Sequence, residues 1–130
     1  MRILFAILIM SVFLGACSDA SVRHYRLEVV AEYPHDTGSY TQGLFFHEGQ
    51  MYETTGLHGK STLRKVDLNT GKPIIKLAFG QKYFVEGSVV LNDNLYILTW
   101  ESKVVFVYDA DSLKYKSTWS YPREGWGITT

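Results

Sequence analysis

Cysteine occurs once, at Cys17, among 130 residues, so an intrachain disulfide and an all-cysteine metal site are both excluded. The four histidines, His24, His35, His47 and His58, fall in a tether, loops and turns without metal-ligand spacing, which predicts no histidine-zinc site. Charge of one sign is missing too. Thirteen basic residues balance thirteen acidic ones with no like-charge run, which leaves no footprint for nucleic acid or for an acidic substrate. The apolar run from Ile3 to Leu14 stops short of the roughly 20 residues that cross a bilayer as a helix. Aromatics, by contrast, are plentiful: 3 Trp, 9 Tyr and 7 Phe favour strands and also line pockets.

The short apolar run has the length of a signal-peptide core, preceded by Arg2 and followed by Leu14-Gly15-Ala16-Cys17. That tetrapeptide resembles a bacterial lipobox, in which the cysteine thiol takes a diacylglycerol and becomes the new N-terminus. Residues 1–16 are then a lipoprotein signal and 17–24 a lipidated cysteine with its polar tether. The predicted location is the cell envelope, lipid-anchored on the periplasmic side, with Ser18 resembling the outer-membrane sorting pattern. The alternative is a plain secretory signal.

From residue 25 onward the pattern is all β. Tyr25 to Tyr33 alternates as a strand and ends at Pro34. Strand-sized pieces follow without a helix: Gln42 to Phe46, Met51 to Thr55, Ser61 to Asp67 and Lys72 to Ala78, separated by Gly-containing turns. The pattern then repeats. Gly43 matches Gly87, Tyr52 matches Tyr96, Thr55 matches Thr99 and Asp67 matches Asp109, with a difference of two residues assigned to the loop between second and third strands. Glu124-Gly125-Trp126-Gly127 opens a third copy. Spacings of 44 from Gln42 to Glu86 and 38 from Glu86 to Glu124 approximate the roughly 40–45-residue period of a four-stranded propeller blade. The expected architecture for 25–130 is therefore two blades of a β-propeller plus the first strand of a third. Propellers close with about 4–8 blades, so this reading makes the chain an N-terminal portion, or else one of several associating chains.

Tyr33-Pro34-His35-Asp36, Tyr40-Thr41-Gln42-Gly43-Leu44, Tyr52-Glu53-Thr54-Thr55-Gly56-Leu57, Ser61 to Asp67, Tyr83-Phe84-Val85-Glu86-Gly87, Leu98-Thr99-Trp100 and Glu124-Gly125-Trp126-Gly127 together resemble the plant and bacterial glutaminyl-peptide cyclotransferases. The resemblance implies a five-bladed propeller that converts N-terminal glutamine of peptides or proteins to pyroglutamate, releasing ammonia without a catalytic metal or other cofactor. It places Glu86 where the family has its catalytic glutamate. Tyr40, Gln42, Phe84, Trp100 and Trp126 match substrate-pocket positions. Val85 departs from a commoner glycine and is expected to tighten or shift the pocket. An asparagine and a lysine of the family site belong to later blades, beyond Thr130.

The residues also permit a blander reading. Gln42, Glu86 and Glu124 share one place in successive repeats and so could only cap inner-strand amides. Gln42 could serve an oxyanion or a structural hydrogen bond, and Glu124 the substrate amine or the framework. Two functions of different class follow: a cyclotransferase, and a lipid-anchored propeller serving as a binding platform. A platform has no need to bring Gln42, Glu86 and Trp100 together.

Overall fold

The computed structural model describes residues 22–130. Cys17 and the signal segment lie outside that range. Residues 22–31 form a unit apart from 32–130 and have no regular structure, with Tyr25, Leu27 and Val30 largely exposed. The strand expected over Tyr25–Tyr33 is therefore not formed. Its alternation suits a sheet, but a strand exists through ladder bonds to a neighbour, and among the described residues none pairs with it.

Eight strands make up the rest: β1 (Thr41–His47), β2 (Gln50–Thr55), β3 (Thr62–Val66), β4 (Pro73–Ala78), β5 (Val85–Leu91), β6 (Asn94–Thr99), β7 (Val104–Asp109) and β8 (Tyr115–Ser120). They form two four-stranded antiparallel sheets, each in sequence order, the meander of a propeller blade. The two-residue difference between the repeats falls where it was placed: residues 56–61 join β2 to β3, whereas only 100–103 join β6 to β7.

The sheets face one another through a layer set by strand alternation. Tyr52 and Leu63 of the first sheet meet Val85, Leu95, Ile97 and Phe106 of the second. Tyr52 stacks on Phe45 at 5.2 Å, and its hydroxyl donates to the Ala110 carbonyl of the second sheet at 2.9 Å, so the buried phenol keeps a partner. The turns repeat as closely. In each sheet an aspartate at the end of the third strand accepts from a backbone amide and a hydroxyl three residues on, Asp67 from Thr70 and Asp109 from Ser112. Gly71 supplies the left-handed residue of the first turn, and Leu113 takes that conformation in the second at φ 53°. The left-handed backbone costs about 1–2 kcal/mol. Burying a leucine returns about 1.5–3 kcal/mol, and Leu113 belongs to the core cluster.

Residues 121–130 carry no strand, so the expected first strand of a third blade is present only as a segment laid against β5, where the Gly87 amide donates to the Trp126 carbonyl at 2.8 Å.

Candidate active site

Gln42 and Glu86 owe their aim to backbone irregularity. In the first sheet Thr41 pairs with Thr55 and Gly43 with Thr54, leaving Gln42 as the extra residue of a bulge. In the second, the register slips between Val85 and Ser88, so Glu86 and Gly87 leave the ladder. A bulge bends a strand and turns a side chain out of simple alternation. Here it presents Glu86 to the neighbouring sheet, where Gln42 donates its amide to the Glu86 carboxylate at 2.6 Å. Thr54 holds the Glu86 backbone carbonyl at 2.7 Å.

Glu86 is 4% exposed. Burial raises its pKa above the ordinary carboxylate value because the charged form loses hydration, and the Gln42 bond opposes this by favouring the anion. The net shift is upward, so the carboxyl holds its proton more firmly than an exposed glutamate does.

Aromatic side chains, among them Phe84 two residues before Glu86, form an unbroken series of contacts. Tyr40 meets Phe84 edge to face at 6.1 Å, Phe84 meets Trp100 at 5.6 Å, and Trp100 meets Trp126 at 5.7 Å. Trp100 is fixed twice, by its amide to the Phe84 carbonyl at 3.0 Å and by its indole N–H to Glu124 Oε2 at 3.0 Å. Every sequence-predicted site residue from Tyr40 to Trp126 thus belongs to one connected group. Gly56 makes room for it, since a Cβ there would strike the Phe84 ring and lie 3.1 Å from Gln42 Cγ.

Two expectations change. Val85 does not narrow the pocket: it is fully buried and belongs to the core cluster between the sheets. Glu124 is not the third member of the Gln42–Glu86 series. A Cβ on Gly43 would lie 2.9 Å from the Ser88 amide, and one on Gly87 would lie 3.0 Å from the Ile128 amide, so the glycine that succeeds them is Gly127. Trp126 then takes the place of Glu86, and Glu124 that of Phe84 and Tyr40. The paired sequence Glu-Gly at 86–87 and 124–125 concealed this two-residue offset.

Sequence reasoning missed His58, which packs edge to face on Phe84 at 5.6 Å, and Tyr121, whose hydroxyl donates to the Thr99 carbonyl beside Trp100. The Tyr-Pro pair at 121–122 was the available signal for the second. Among the described residues, His47, Glu48 and Asp111 bring ligating atoms within 4.8 Å of one another, a grouping that residue spacing did not reveal. His47 ends β1 at the end remote from Gln42.

A family model described as glutamine cyclotransferase matches residues 3–130. The glutaminyl-peptide cyclotransferase of Arabidopsis thaliana is 42% identical over 118 residues, which is 89% of this chain and 37% of that protein. The crystal structure of Myxococcus xanthus glutaminyl cyclase superposes with a TM-score of 0.70 at 35% identity, covering 77% of this chain and 42% of that one. The chain therefore spans well under half the length of both relatives.

Proposed function

The chain belongs to the glutamine cyclotransferase family, and from that membership we propose that it forms the Glu86-bearing portion of an enzyme that cyclises N-terminal glutamine of peptides to pyroglutamate. The observation that carries the reading is the buried Glu86 carboxyl, held by Gln42, on a strand that Phe84 precedes and that Gly87 bonds to Trp126, with Phe84, Trp100 and Trp126 in contact in series.

Cyclisation joins the substrate α-amine to its own γ-carboxamide carbon and breaks that carbon's bond to the amide nitrogen, which leaves as ammonia. An α-amine has a pKa near 7.7–8.0, so part of it is already a nucleophile at neutral pH. The harder requirements are folding the side chain back on itself and protonating the departing nitrogen. Glu86 meets the second by accepting the proton that the attacking amine loses and delivering it to the leaving group, a role that suits a carboxyl with a raised pKa. The aromatic series meets the first by enclosing the substrate's methylenes. Gln42 spends an amide hydrogen on Glu86, which favours a holding role over one at an oxyanion. Glu124 has one oxygen on the Trp100 indole, which leaves the other to accept a hydrogen bond from the substrate α-amine.

The lipobox at Leu14–Cys17 supports a protein anchored by Cys17 to the cell envelope, its substrates being peptides with N-terminal glutamine outside the cytoplasm. Ammonia release from a glutamine-terminated peptide by the complete protein tests the activity. No release above the uncatalysed rate would overturn it.

A further inference from the structure

Tyr121 follows β8, the outermost strand of the second sheet, yet its side chain reaches inward. Its amide donates to the Lys103 carbonyl at 3.0 Å, and its hydroxyl donates to the carbonyl of Thr99, the fully buried residue before Trp100. Gly125 rests on that phenol. A Cβ at Gly125 would run into the Tyr121 hydroxyl, lie 2.8 Å from its Cζ and lie 3.0 Å from the Thr99 carbonyl oxygen. Only glycine fits, and its two chain neighbours are Glu124 and Trp126. Glu124 receives the Trp100 indole N–H, and Trp126 receives the Gly87 amide, so this turn is pinned to both β5 and the end of β6.

We infer that Tyr121 is a positioning residue for the pocket: its Thr99-bonded hydroxyl is the support on which Gly125 rests, and this sets Glu124 and Trp126 against Trp100. The inference rests on the pocket reading above and adds a residue whose own side chain need not touch substrate. Burial raises the phenol pKa, and the Glu86 charge adds to this against the opposing Thr99 bond. The phenol therefore remains a donor across the pH range in which Glu86 titrates.

The test is Tyr121→Phe in the complete protein, which keeps the ring and removes the hydrogen bond. KM for a glutaminyl peptide is expected to rise about 2- to 10-fold, the scale of one lost neutral hydrogen bond, with kcat within about 2-fold and its pH profile unmoved. Hydrogen–deuterium exchange should quicken in peptides covering 122–127 and Gly87. Gly125→Ala should raise KM further. The double variant should show less than the product of the two effects, because phenylalanine lacks the oxygen that the new methyl strikes. Unchanged KM with a lowered melting temperature, or unchanged exchange at 122–127, overturns the inference. If the wild-type protein does not cyclise the peptide, the functional reading fails by itself, and exchange still decides whether Tyr121 holds the turn.

Discussion

Gln42 and Glu86 occupy the same place in consecutive sheets, and the amide of the first donates to the carboxylate of the second across the gap at 2.6 Å. The repeat has thus placed, 44 residues apart, a neutral donor and an acid as a pair. Their chemistry is therefore coupled, the amide favouring the anionic form of the acid.

Replacing Glu86 by glutamine keeps the shape and removes the acid. In the complete protein, turnover on glutaminyl peptides is expected to fall about 10²- to 10⁴-fold, the usual range for general acid–base catalysis, with a smaller change in KM. A folded variant with near-native turnover would rule out the proton-transfer role.

The same variant has a predicted stability signature. Because the folded pKa of Glu86 is raised, its contribution to stability is fully present below the unfolded carboxyl pKa and is lost as pH rises through the folded value. Glu86→Gln should therefore match or exceed the wild-type melting temperature near pH 8, with any advantage shrinking toward pH 4. Melting curves across that range check the sign; a variant less stable at pH 8 than at pH 4, relative to wild type, would contradict it.

Gln42→Leu removes the bond that favours the Glu86 anion, so the carboxyl pKa should move further upward. The acidic limb of kcat/KM is expected to shift to higher pH. A limb that stays in place or moves down would show that Gln42 does not tune Glu86.

Leu113 offers a test of the fold rather than the site. Leu113→Gly relieves a left-handed backbone but exposes a core contact, and the larger loss should win, by about 1 kcal/mol on the transfer and backbone magnitudes. Chemical denaturation measures it. A more stable glycine variant would mean the buried leucine contributes less than its backbone costs.

The envelope reading stands on Arg2, the apolar run Ile3 to Leu14, the tetrapeptide ending at Cys17, and Ser18. Mass spectrometry of the membrane fraction should find a mature protein beginning at a diacylglyceryl-modified Cys17. An unmodified soluble chain with a different first residue would replace the lipoprotein with an ordinary secreted protein.

Local sequence determined the strands and the repeat, because alternation, turn glycines and the paired aspartates Asp67 and Asp109 act within a few residues of where they stand. The family resemblance, in turn, singled out Glu86, Trp100 and Trp126 as candidate site residues. Tertiary structure decided what depended on contact between the sheets. The bulges that aim Gln42 and Glu86, the burial of Val85 in the core, and the succession of Gly43, Gly87 and Gly127 all arise where two backbones approach closely. Glu124-Gly125 copies the letters of Glu86-Gly87, but only packing distances show that Trp126-Gly127 fills the place. Tyr25–Tyr33 makes the complementary point, since its alternation is right for a strand and a strand needs hydrogen-bonding partners that its own residues cannot supply.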